Sequence, residues 1–169
     1  GEQSAVVTPG SLGAHNWMPM AYSPRTGLVY IPAQEFDARY SELPGDWTPP
    51  QDRSFSGGQM TSGGPLAGMT HAPGSLLAWS PARQEAVWKI PYPTSLNGGV
   101  LATGGDLVFQ GSIDNRLRAY SGVDGSLVWE FDVGAPILAP PITYEAGGQQ
   151  YLTVLTGTGM GIAVYAGSM

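Results

Sequence analysis

With 169 residues, seven Lys and Arg against thirteen Asp and Glu, and a net charge of −6, the chain has no basic face for a phosphate backbone, which excludes nucleic acid as a partner. The absence of cysteine rules out disulfides, thiolate metal sites and a cysteine nucleophile, and no apolar run approaches the roughly 20 residues of a membrane-spanning helix. A hydrophobic content of 42% with five Trp and eight Tyr supplies enough burial that 25 Gly and 15 Pro read as turns rather than disorder.

Taken in order, the strand signals come in pairs separated by Gly, Pro, Asn or Asp, as a meander of hairpins requires. The N-terminus has no charged segment followed by an apolar one, so no secretory leader is expected within the sequence. The first predicted pair is Pro19 to Ser23 with Leu28 to Ala33, turning at Pro24-Arg25-Thr26-Gly27. Next is a Pro-, Gly-, Met- and Ser-rich insertion, Glu35 to Gly74, of a length that is usually functional or disordered. Leu76 to Ser80 pairs with Ala86 to Ile90, Val100 to Thr103 with Asp106 to Gln110, and Arg116 to Tyr120 with Ser126 to Phe131. Pro141 to Tyr144 with Gln150 to Leu155, and a lone strand at Gly161 to Tyr165, complete the series. No segment has a 3.6-residue apolar period, so little helix is expected.

The series repeats itself. Leu77-Ala78-Trp79-Ser80-Pro81, followed by Val87-Trp88-Lys89-Ile90, returns 41 residues later as Arg118-Ala119-Tyr120-Ser121-Gly122, followed by Val128-Trp129-Glu130-Phe131. A period of about 40 to 45 residues, made of short strands and closed by a Trp, is that of a four-stranded propeller blade. The expected fold is therefore all-β, a single partial β-propeller of about three antiparallel blades over residues 1–169. The blades fall at 18–91, carrying the insertion 35–74, at 99–132, and at 140–166, the last without its outer strand. Trp88 and Trp129 then stand on outer strands, as rings that wedge between neighbouring blades. The insertion, Gly10 to Trp17, Pro91 to Gly99, Gly111 to Asn115 and Thr156 to Gly161 should gather on one rim, and the short turns on the other.

Few residues suggest chemistry by themselves. In His15-Asn16-Trp17 an imidazole, an amide and an indole stand together at the mouth of an inner strand, which suits a planar ligand. The same segment also reads as a loop Trp covering the core with Asn capping a turn. His71 has no companion at metal-ligand spacing, and the carboxylates are scattered. No Gly-x-Ser-x-Gly is present. Gly157-Thr158-Gly159-Met160-Gly161 has the outline of a phosphate-binding turn, but without a following helix it reads as a hairpin turn.

Three stretches resemble the C-terminal part of the quinoprotein alcohol dehydrogenases, which use pyrroloquinoline quinone (PQQ) in an eight-bladed propeller. They are Ala119 to Phe131, similar to that family's tryptophan docking motif; His15-Asn16-Trp17-Met18-Pro19-Met20, continuing as Ser23 to Ala33; and Trp88-Lys89-Ile90-Pro91, followed by Asn97 to Gly111. The resemblance implies a cofactor-pocket role for Asn16 and Trp17, with Asn97 on the same rim. By the same resemblance Thr158, within Gly157-Thr158-Gly159, is a further cofactor-pocket position; it stands where the family usually has a Trp, which removes one aromatic wall of the pocket. The resemblance further implies that the catalytic Asp, the calcium-binding Glu and Asn, and an adjacent-cysteine disulfide belong to blades outside this sequence, so no catalytic residue is assigned here. No Cys-x-x-Cys-His for haem attachment is present. The implied function is oxidation of a small alcohol by hydride transfer to PQQ, in the periplasm, once another chain or self-association completes the ring. By this reading the chain alone is inactive. A non-catalytic, self-associating propeller-repeat module is the alternative.

Overall fold

The computed structural model describes residues 4–10, 13–35, 38–41, 74–92 and 97–157. Twelve strands and no helix occur among them. Four strands, β2 (Ala21–Ser23), β3 (Leu28–Gln34), β5 (Gly74–Ser80) and β6 (Glu85–Tyr92), form one antiparallel sheet in that order. A second is built the same way from β7 (Asn97–Ala102), β8 (Leu107–Ser112), β9 (Arg116–Ser121) and β10 (Leu127–Asp132). The hairpin of β11 (Ile142–Ala146) and β12 (Gln149–Thr153) begins a third. The strand expected at Gly161 to Tyr165 lies outside the described residues.

The echo in sequence is an echo in register. Trp88 sits opposite Ala78 and Trp129 opposite Ala119, and beside each pair the ladder slips by a bulge. The turns repeat as well: the amides of Gly27, Gln84 and Gly125 bond back to the carbonyls of Ser23, Ser80 and Ser121 at 2.9, 2.7 and 2.9 Å. The closing residue of each is left-handed, with φ of 69°, 56° and 74°, a conformation natural to Gly and strained for Gln84.

The insertion differs from expectation. Ala38–Ser41 forms a strand, β4, that pairs antiparallel with β1 (Ser4–Val7), so its first part is sheet rather than structureless loop. Backbone pairing with a distant segment supplies the order that its composition does not suggest. The connection expected from Pro91 to Gly99 is also shorter, because β6 runs on to Tyr92 and β7 starts at Asn97.

The two four-stranded sheets meet face to face. Leu28, Tyr30, Leu76 and Ala78 of the first pack with Val100, Val108 and Tyr120 of the second, and Tyr92 joins them. Trp88 crosses the joint, stacking on Tyr30 at 5.6 Å between ring centroids and donating its indole N–H to the Gly122 carbonyl at 3.2 Å. The Tyr30 hydroxyl donates to that same carbonyl at 3.0 Å. A Cβ on Gly125 would come within 2.9 Å of the Trp88 ring, so the turn can lie flat on the indole only as glycine. Trp129, expected to wedge likewise, keeps 43% of its surface exposed and stacks on Phe131 of its own strand. Beyond it, the third sheet offers only the β11–β12 hairpin among the described residues.

Candidate functional site

The innermost strands of the three sheets enter side by side. Pro19 precedes β2, Gly99 lies at the start of β7 and Pro140 precedes β11. A Cβ on Gly99 would lie 2.6 Å from Pro19 and 2.9 Å from Pro140, so only a residue without a side chain allows the three to converge. The Val100 amide donates to the Pro19 carbonyl at 3.0 Å, and Ile137 N–H donates to Ser112 O at 3.0 Å. Gly157 returns to the same rim, its amide bonding the Pro136 carbonyl at 2.7 Å.

The segment before Pro19 is held at both ends and open in the middle. Gln34 donates its backbone N–H to the Ala14 carbonyl at 2.9 Å and its side-chain amide to the Gly13 carbonyl at 3.3 Å. His15 Nδ1 lies 2.8 Å from the Pro32 carbonyl, which can only accept, so the proton is on Nδ1. Met18 is fully buried. Between these anchors Asn16 is exposed and Trp17 presents 61% of its surface. The expected rim residues thus differ in access: Asn97 is buried, opposite Ser112, whereas Asn16 and Trp17 face outward. Thr158 and His71 lie outside the described residues.

An ion-pair cluster stiffens the adjoining edge. Arg118 bonds Glu130 at 2.7 Å and also pairs with Asp114, Arg116 pairs with Glu130, and the guanidinium of Arg118 lies 5.7 Å from the centre of the Tyr92 ring. Burial alone would raise the Asp114 carboxyl, but hydrogen bonds from Arg118 and Ser112 outweigh it and hold the group below its ordinary value. Burial raises both Tyr92 and Tyr120, whose hydroxyls bond each other at 2.9 Å and stay neutral.

Among the described residues no group of three or more His, Asp or Glu side chains could hold a metal. No helix there is long and apolar enough to cross a membrane. Two grooves, of about 540 and 530 Å³, open on the rim of short turns, beside Arg25, Arg83 and Asp106 in one and Thr103, Phe109 and Tyr151 in the other. Neither is lined by Asn16, Trp17 or Asn97. These grooves lie between sheets, the first lined mostly by turn residues and the second mostly by residues of β8, β11 and β12, apart from the His15–Met18 segment. What the open rim offers is an exposed indole face next to an amide, suited to holding a flat polar molecule. Two supporting residues, Gln34 and Gln110, were not singled out from sequence, since a Gln in an alternating strand reads as solvent-facing. Both are buried, on the strand faces that also carry Tyr30 and Val108.

Residues 69–152 match the family model for the PQQ β-propeller domain of glucose, ethanol and alcohol dehydrogenases. The chain is 46% identical over 158 residues to the dehydrogenase subunit of the quinone-type alcohol dehydrogenase of Acetobacter aceti, covering 89% of this chain and 21% of that protein. It is 40% identical over 174 residues to the quinohemoprotein alcohol dehydrogenase ADH-IIG of Pseudomonas putida, covering 97% of this chain and 24% of that one. The solved ADH-IIG structure superposes with a TM-score of 0.77 at 39% identity over 93% of this chain and 24% of the other. For the Comamonas testosteroni quinohemoprotein alcohol dehydrogenase the TM-score is 0.70 at 31% identity, over 92% of this chain and 24% of the other. The chain thus spans about a quarter of the length of the relatives it matches.

Proposed function

This chain belongs to the PQQ β-propeller family of alcohol dehydrogenases, and from that membership we propose that it forms the C-terminal part of such a propeller and one edge of its quinone pocket. The observation that carries the reading is the clamped loop from Gly13 to Met18, which leaves Asn16 and Trp17 exposed where the three inner strands converge. These residues fit part of a planar quinone's needs: an open indole face for the ring system, and an amide that can both donate and accept at polar edges. Asn97, being buried, supports the rim from beneath. When bound, PQQ would supply the acceptor for the hydride leaving the alcohol carbon. Trp17 would cover that face and keep water from it, and Asn16 would fix its orientation. The base that takes the hydroxyl proton, and any calcium ion, would come from sheets outside this chain. The substrate would be a small alcohol and the compartment the periplasm.

A second reading, self-association without catalysis, is favoured by one feature: the outer strand β10 exposes Leu127, Val128, Trp129 and Phe131, and the third sheet exposes Ile142, Tyr144 and Tyr151. An apolar outer strand of this kind is covered in a stable assembly.

One experiment separates the two. The matching quarter of ADH-IIG is replaced by this chain, and the chimaera is titrated with PQQ and assayed for alcohol oxidation. Binding and turnover are expected, with Trp17→Ala weakening binding about tenfold while leaving the melting temperature within a few degrees. A folded chimaera that takes up no quinone would overturn the proposal. A stable homo-oligomer of the isolated chain that ignores PQQ would favour the second reading.

A further inference from the structure

Gln110 is fully buried, and the two ends of its amide are unequally used. Nε2 donates to the Gly98 carbonyl at 2.8 Å, whereas Oε1 has no hydrogen-bond partner among the described residues. A buried acceptor without a partner is unfavourable, and an apolar side chain of equal length would avoid it. What the amide contributes is therefore the bond to Gly98. That carbonyl belongs to the irregular start of β7, where the pairing with β8 slips between Asn97 and Val100 and regular ladder bonds are interrupted.

The consequences run outward from there. Next to Gly98, Gly99 packs against Pro19 and Pro140, and the Val100 amide holds the Pro19 carbonyl. Pro19 is two residues beyond Trp17. We propose that Gln110 is a positioning residue: by fixing the Asn97–Val100 bend it sets the place of Pro19, and through it of Asn16 and Trp17 on the open rim. The effect on ligand binding rests on the function proposed above; the effect on the bend does not.

The test uses the full 169-residue chain with Gln110→Met, close in length and unable to donate, and Gln110→Leu as a second variant. Hydrogen exchange at the Val100 amide is measured beside that of β5 and β6 amides in the other sheet, together with thermal unfolding, and PQQ is titrated into the ADH-IIG chimaera with and without each Gln110 substitution. The expected result is exchange at Val100 about tenfold faster, β5–β6 protection unchanged, a melting temperature within a few degrees, and quinone binding weakened about tenfold. Unchanged exchange at Val100 would overturn the proposal, and so would loss of protection throughout both sheets, which is what mere core packing predicts. If the chimaera with ADH-IIG binds no quinone, the proposed function fails, and the Val100 comparison in the 169-residue chain still decides the role of Gln110.

Discussion

Replacing Trp88 by Phe tests how the two sheets are joined. The smaller ring can still stack on Tyr30, but it has no N–H for the Gly122 carbonyl, a bond now 3.2 Å long. That carbonyl keeps the Tyr30 hydroxyl at 3.0 Å, so no buried acceptor is orphaned and only the net worth of one hydrogen bond is lost, about 1 kcal/mol. The missing second ring removes apolar contact with the Gly125 turn, worth roughly another 1 kcal/mol. The total of about 2 kcal/mol corresponds to a fall in melting temperature of about 6 °C for a chain of this size. Trp129→Phe is the matched control. Its indole is 43% exposed and stacks on its own strand's Phe131, so its loss should stay within about 0.5 kcal/mol. Urea unfolding of both variants by intrinsic fluorescence and circular dichroism measures the difference. Equal losses would refute the claim that Trp88, through its cross-sheet contacts, secures the joint in a way that Trp129 does not.

Gln84→Gly relieves a left-handed residue at φ 56° and should raise stability by about 0.5–1 kcal/mol, read from the urea midpoint. Gly99→Ala forces a methyl group against Pro19 and Pro140 and should cost about 1–3 kcal/mol, seen as a lower melting temperature. Because the Asp114 carboxyl is held below its ordinary value in the folded chain, its contribution is present above the unfolded value of about 4 and is lost as pH falls through the lower, folded one. Asp114→Asn should therefore flatten the fall in stability below about pH 4, measured by urea unfolding across an acid pH series.

Much of the fold was legible because alternation and turn residues are local. Each of the first ten strands predicted from the sequence appears within three residues of its expected bounds. The two that were not anticipated, β1 and β4, are four residues long and owe their order to each other across more than thirty residues of chain, which no local pattern reports. Trp88 and Trp129 look alike in sequence and differ in surroundings, because a repeat specifies a strand's partner within its sheet and not what lies beyond that sheet. At the rim, Asn16 and Trp17 stood out only through adjacent polar and aromatic character and the family resemblance. Asn97-Gly98-Gly99 read as a connecting loop because two glycines mimic a turn, when they instead make room for Pro19 and Pro140. Gln34 and Gln110 stayed hidden, since the carbonyls that hold their amides, those of Gly13 and Gly98, lie on segments distant in sequence.

The Gly122 carbonyl receives both Trp88 and Tyr30, and the turn beneath the indole is glycine. The socket on the accepting sheet is thus written in main chain rather than in side chains. Such a joint is generic: any copy of the sheet that keeps the turn keeps the socket, whatever else its sequence becomes. Units fastened in this way can be duplicated or exchanged between related rings without inventing a new interface, and each is free to specialise the rim it carries.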